Sequence, residues 1–317
     1  MIEVIDSGLL TLVQDGGRSG YQAWGVTVGG AVDRFSLNIG NLLVGNHPDA
    51  PGIEMNMTGA VFRAHEALIA TLTGADFSAE LDGEKIPLGT VFNWPKGSLL
   101  SVKGESKGAR SYLTVSGGID VPHVLKSAAT DIIAGIGGVN GRALRKGDKL
   151  KVGKKRMDPS FLLGRRLSPA LLRKKKDKEV ARVRVVFGPH DDAFSKKGKD
   201  TFTRTIYECS RRMNRMGLQC LGEPIEHKKG ADILSTGVTF GSIQVPADGQ
   251  PFILLADRQT TGGYTQIATV IRADFHRIAQ ALPGDRIQFC PVSLDEAREA
   301  LIEQVRFLKK LSVHNQK

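Results

Sequence analysis

Most of the chain alternates between short apolar runs and turn residues. Ala67-Leu-Ile-Ala-Thr-Leu-Thr73, Arg182-Val-Arg-Val-Val-Phe187 and Pro251-Phe-Ile-Leu-Leu-Ala256 are rich in strand-forming residues, and Gly, Asp-Gly and Pro-Gly punctuate the text between such runs. Glycine, at 37 of 317 residues, exceeds the usual ~7% and predicts the many tight turns that closed barrels need. Helices are few. Asp33 is placed to cap a segment whose apolar residues Phe35, Ile39, Leu42 and Leu43 share one face, and which stops at Gly45. Asp274 opens a short helix ending before Pro283-Gly284. Ser293-Leu-Asp-Glu296 is a capping box leading into a C-terminal amphipathic helix, with Leu294, Ala297, Leu301, Val305 and Leu308 predicted to face inward.

An apolar content of 41% with 24% charged residues describes a globular protein with one large core or two domains of about 150 residues each. The longest apolar runs fall far short of a membrane span of about 20 residues. Acids at Glu3 and Asp6 occupy the place of a basic secretory n-region. The expectation is a cytoplasmic protein that neither crosses a membrane nor binds nucleic acid. Cys209, Cys220 and Cys290 form no C-x-x-C pair, and the seven histidines are scattered, so the expectation is buried thiols and no protein-ligated metal.

The net charge of +11 is concentrated in one place. Arg145 to Arg182 holds 15 Lys or Arg against four acids, which equals the excess of the whole chain. Without interleaved aromatics this segment reads as a solvated linker or as a docking surface for an acidic partner protein, not as a single-strand binder. It is also the best boundary, dividing the chain near residue 177 into domains 1–176 and 177–317. A weak echo between Leu144–Val152 and Leu282–Phe289, each a Gly-Asp turn feeding a strand, fits two related halves.

Common catalytic motifs are absent: there is no P-loop, no nucleophile elbow, and Gly135–Gly141 misses the dinucleotide fingerprint. Polar residues instead cluster in glycine-rich segments. The first runs from Gln14-Asp-Gly-Gly-Arg18-Ser-Gly20 through Gly30 and Asp33 to Asn41. Its loop amides and Arg18 suit an anion, while a turn role for Arg18 and a capping role for Asp33 are equally open. The second contains Gln244 and then Asp257-Arg-Gln259-Thr260-Thr-Gly262-Gly263-Tyr264, where a strand emerges into seven consecutive polar or glycine residues. Asp257 is suited to act as base or acceptor, Gln244 and Gln259 as amide readers, and Tyr264 as donor; the alternative is a rigid turn held by its own side chains. A third segment presents Arg215 either to an anion or to a salt bridge.

Together these segments resemble the carboxyltransferase-like family that includes the C-type subunit of prokaryotic 5-oxoprolinase, allophanate hydrolase subunit 2 and the kinase-inhibitor antagonist KipA. The matching text includes Gln14–Gly20, Gly30-Ala-Val-Asp33, Asn41–Asn46, Leu72–Asp76, Val115–Pro122, Arg215-Met-Gly217 and Gly241–Pro246 through Asp257–Tyr264. The resemblance implies a mainly β protein of two cyclophilin-like β-barrel domains with a few short helices and a C-terminal helix. It implies ATP-dependent opening of 5-oxoproline to glutamate within a hetero-oligomer, alongside a B-type (KipI-like) and an A-type (LamB/YcsF-like) subunit, the chain being inactive alone. Under this reading Asp257, Gln244, Tyr264 and Asp33 carry the chemistry, and Arg18, Gly30, Asn41, Arg215, Gln259, Thr260, Gly262 and Gly263 bind substrate or anion. The rivals are carboxyl transfer in a biotin-dependent urea-carboxylase system, with biotin as cofactor, and non-catalytic regulation through a KipI-like subunit. The chain departs from the family pattern at Lys126-Ser-Ala-Ala-Thr130 and at Asn214, where an Arg and an Asp are expected.

Overall fold

The structure, a computed structural model, describes residues 1–103, 108–168 and 180–313. Met1–Arg18, Gly29–Lys175 and Arg306–Lys317 make up one compact unit, and Ser19–Val28 with Lys176–Val305 a second. The boundary expected near residue 177, with Arg173 to Lys176, lies outside the described residues.

In the first unit the strands form two antiparallel sheets around one core. One sheet runs in the order Ile119–Asp120, Lys149–Val152, Ile2–Asp6, Val61–Ala64, Leu99–Val102, Ala79–Leu81 and Glu84–Lys85; the other runs Leu10–Gln14, Gly52–Asn56, Arg110–Val115, Leu68–Gly74 and Phe92–Trp94. Burial alternates along Val61–Ala64 and Leu99–Val102, so the first sheet has a core face and an outer face. Every residue of Gly52–Asn56 and Arg110–Val115 is buried, which requires cover on both faces. Val4, Phe62 and Leu100 meet Ile53, Leu72 and Leu113 on one side. Helix α1 (Arg34–Leu43) covers the other. Its close approach depends on Gly40, where a Cβ would lie 2.8 Å from the Thr114 hydroxyl and 3.0 Å from that of Thr73. The helix begins and ends as its sequence predicts: Asp33 accepts from the Ser36 N–H at 3.0 Å, and Gly45 takes φ +74° just beyond.

The second unit closes into a seven-stranded barrel: Ala181–Phe187, Gln266–Val270, Ser242–Gln244, Phe252–Leu254, Gly217–Leu221, Tyr207–Met213 and Arg286–Pro291. The closing pair, Ala181–Phe187 with Arg286–Pro291, is parallel, whereas the other neighbours are antiparallel. Closure leaves no exposed sheet edge. Helix α2 (Lys196–Arg204) stacks Phe202 on Phe289, ring centroids 4.6 Å apart. Before helix α3 (Phe275–Ala279), the Asp274 side chain does not cap as its position suggests; it accepts from Arg184 Nε and Nη2 instead. A two-stranded ribbon, Asp232–Gly237 with Thr261–Tyr264, completes this unit.

Helix α4 (Leu294–Val313) starts with the expected capping box, Glu296 accepting from the Ser293 N–H at 2.7 Å and Ser293 Oγ from the Glu296 N–H at 3.2 Å. Its buried face corrects the sequence reading, because Leu294 is 74% and Val305 42% exposed. Ala297 and Ala300 pack on Ile271 and Ala273, and Phe307, Leu308 and Leu311 pack on the cluster of Ile39, Leu43 and Val44. Small residues early and large ones late define the line that is covered. Cys209 and Cys220 are buried, whereas Cys290 is half-buried; all three are free. No described helix is long and apolar enough to cross a membrane.

Candidate functional site

In the second unit, strand Phe252–Leu254 runs into the polar stretch that the sequence singles out. The backbone there is pinned by Leu255 N–H to the Met216 carbonyl at 2.8 Å and Asp257 N–H to the Arg215 carbonyl at 2.9 Å. Across this frame Arg215 donates from Nε to Asp257 Oδ2 at 2.8 Å and from Nη2 to Oδ1 at 2.9 Å, a bidentate ion pair in which both side chains are at least nine-tenths buried. The expected roles change accordingly. Asp257 is not an open base and Arg215 is not an open anion receptor, since each satisfies the other. Asn214, where the family pattern has Asp, accepts from the Met216 and Gly217 N–H groups and shapes the turn.

A second group gathers on the ribbon. Gln244 is buried, and its Nε2 makes a long bond of 3.4 Å to the Tyr264 carbonyl. Gly262 lies against that amide, so that a Cβ there would strike Gln244 Nε2, whereas Gly263 has ordinary clearance. Tyr264 is 42% exposed, so its ring is open to a ligand. Gln259 is exposed, and the Thr260 carbonyl accepts from the Val238 N–H at 3.1 Å. The structure therefore unites Gln244, Gly262 and Tyr264 in one contact group and Arg215 with Asp257 in another.

The residue between these groups that the sequence reading passes over is Arg258. It is 6% exposed, and its bonds are long ones from Nη1 to the Leu255 and Ala256 carbonyls, at 3.3 and 3.5 Å. Burial pulls its guanidinium below the ordinary arginine range, and the charge of Asp257 opposes this. An arginine directly after the acidic Asp257, where an apolar strand gives way to a polar turn, is the signal the sequence offers.

The candidates of the first unit serve mostly to hold its loops. Arg18, 1% exposed, donates from Nη2 to the Ala129 carbonyl, while its Nε and Nη1 are sealed without an acceptor. Gly30 takes φ +81°, and a Cβ there would lie 2.7 Å from the Gly17 nitrogen. Asn41 donates to the Pro48 and Ala50 carbonyls and accepts from Asn46, so its amide is a brace. Asp33 caps α1 while its backbone N–H donates to the Tyr112 hydroxyl, which in turn donates to Glu54 Oε2, each at 2.8 Å. Val32 N–H and Asn56 also donate to Glu54. Burial, then the Glu54 and Asp33 charges, push the Tyr112 phenol well above its usual range. This wholly buried network escapes a sequence reading because Glu54 lies within an apolar strand. The Gly135–Gly141 loop, for its part, lines an open groove of about 700 Å³ with Asp120, Lys149 and Lys151.

No group of three or more His, Cys, Asp or Glu side chains placed to hold a metal occurs among the described residues.

Comparison with known proteins places this arrangement. Over its full length the chain is 38% identical to the C-type subunit of 5-oxoprolinase from Escherichia coli (strain K12), covering 100% of both proteins. It is 32% identical to the urea amidolyase of Lachancea kluyveri over 94% of this chain, but spans only 17% of that enzyme. Its fold matches the crystal structure of the K. lactis urea amidolyase with a TM-score of 0.91 at 28% identity, covering 98% of this chain and 20% of that one. Residues 24–291 match the family described as carboxyltransferase domain, subdomain A and B. The chain belongs to the carboxyltransferase domain family.

Proposed function

We propose that this protein is the C-type subunit of an ATP-dependent 5-oxoprolinase, acting with A-type and B-type subunits to open the 5-oxoproline lactam to glutamate. The observation that carries the reading is the match to the Escherichia coli 5-oxoprolinase protein, which covers the whole of both chains. The urea amidolyases contain this region as about one fifth or less of a larger chain.

An unstrained lactam resists water because its nitrogen donates into the carbonyl, and ring opening places negative charge on the carbonyl oxygen. A protein favours that step by offering donors where the charge develops. In the second unit the Gln244 amide is held by a single long bond and the Tyr264 side chain is open to solvent, so both are available as donors to a ligand. Glycines at 262 and 263 keep the adjacent backbone approachable. The Arg215–Asp257 pair acts as the rigid frame from which this stretch emerges. ATP supplies the driving force to the assembly, and no described residue of this chain is assigned to it.

The urea amidolyase relatives favour a second reading, carboxyl transfer from biotin. The same Gln244 and Tyr264 groups suit the ureido ring of biotin, which when carboxylated supplies an activated carboxyl group.

The test is 5-oxoproline-dependent ATP hydrolysis by the three purified subunits. Activity that disappears when this chain is withheld, and returns when it is added, is the expected result. A stable assembly of all three without such activity would overturn the oxoprolinase reading in favour of carboxyl transfer or of regulation through the B-type partner.

A further inference from the structure

Three buried arginines, Arg18, Arg215 and Arg258, lie in the polar segments of this chain, and their surroundings single out one. Arg215 is neutralised by Asp257. Arg18 is sealed, with no face open to a ligand. Arg258 differs from both: its Nε is buried with no acceptor, while its Nη2 has no partner among the described residues and is not sealed from solvent. It forms no ion pair with any described carboxylate, because both oxygens of its neighbour Asp257 already accept from Arg215.

The charge balance follows directly. The cation of Arg215 and the anion of Asp257 cancel, which leaves one positive charge at this turn, nine-tenths removed from water. Holding an uncompensated guanidinium there is costly, and an anionic ligand at its open edge removes the cost. With Nε buried and Nη1 donating to carbonyls, Nη2 is left to make a charge-assisted bond, which suits a carboxylate oxygen. The geometry points to Arg258 as a specificity-determining residue that takes the carboxylate of the substrate at Nη2. This rests on the 5-oxoproline reading for the identity of the ligand, and not for the presence of the anion subsite.

The probe is a matched pair of lactams: 5-oxoproline, and 2-pyrrolidinone, which has the same ring without the carboxylate. Binding of each to the purified full-length chain, and KM and kcat in the reconstituted complex, are measured for the wild type, Arg258→Lys and Arg258→Gln. The wild type is expected to prefer 5-oxoproline. Arg258→Gln is expected to lose that preference by about 10- to 100-fold, through KM and with 2-pyrrolidinone unaffected. Arg258→Lys, which keeps the charge and loses the Nη1 bonds that hold Nη2 in place, falls between. Equal loss for both lactams would show a structural role and overturn the inference, as would a wild type that does not discriminate between them. Inorganic phosphate displacing nothing is expected; tighter binding of phosphate than of 5-oxoproline would also overturn it. Carboxylate-selective binding without lactam-dependent ATP hydrolysis would keep the subsite and sink only the oxoprolinase reading.

Discussion

At the scale of single residues, the second unit rests on a pair whose members depend on each other. Removing one partner of a buried ion pair strands the other charge, so Asp257→Ala is expected to destabilise the chain by about 3–5 kcal/mol in urea unfolding. Replacing both, as Arg215→Met with Asp257→Leu, should recover most of that loss, and a double variant no more stable than Asp257→Ala would show that the pair is not the cause. Loss of activity in Asp257→Ala alone therefore does not make Asp257 a base. In the first unit, Tyr112→Phe leaves the Asp33 N–H and Glu54 Oε2 without their shared hydroxyl and should cost about 1–3 kcal/mol in the same measurement. The types of these residues are legible in the sequence: a polar run after an apolar strand needs partners. Who partners whom is not, because Arg215 and Asp257 meet only once two separate segments are laid side by side. Arg258 escapes for the same reason, since its exceptional state is defined by Asp257 being occupied elsewhere.

At the scale of elements, local chemistry is a good guide to helix ends and a poorer one to helix faces. Asp33 and Gly45 bound α1 and Ser293–Glu296 starts α4, because caps act within a turn of chain. The covered face of α4 depends on what lies beneath it, and the largest apolar side chains, Phe307 and Leu311, pull it away from Leu294 and Val305. Ser293→Ala is accordingly expected to cost about 1 kcal/mol and Leu294→Ala almost nothing, as read from thermal unfolding. Asp274 shows how a tertiary partner overrides a local role. Burial acts to raise its carboxyl, but the Arg184 side-chain and backbone bonds, with the Arg277 and Arg184 charges, outweigh that and hold it below its ordinary 3.8. A depressed folded-state pKa stabilises above the unfolded value and is lost as pH falls through the folded one. The stability gap between the wild type and Asp274→Asn should therefore be constant from neutral pH down to about 4 and shrink below it. A gap that stayed constant below that point would show that the carboxylate charge contributes nothing.

At the scale of the whole molecule, the mainly β class can be read from glycine usage and short apolar runs, whereas barrel closure cannot. Closure depends on the parallel pairing of Ala181–Phe187 with Arg286–Pro291, two strands at opposite ends of the second unit's sequence. Charge distribution, in contrast, is a property of sequence alone. The excess of +11 falls between Arg145 and Arg182, and within the described part Lys154, Lys155 and Arg156 are exposed and form no ion pair. Exposed cations of this kind add little to folding, since each is already solvated. Their effect is on encounter with an acidic surface, where a local excess of one sign raises the association rate and is screened by salt. Changing Lys154, Lys155 and Arg156 to Glu is expected to leave unfolding within about 0.5 kcal/mol of the wild type. In stopped-flow association with the proposed A-type and B-type subunits, the same variant should bind several-fold more slowly at low salt and show a flatter salt dependence. If association is unchanged at every ionic strength, the segment is a solvated linker; if unfolding shifts as well, these side chains carry a packing role that their exposure does not account for.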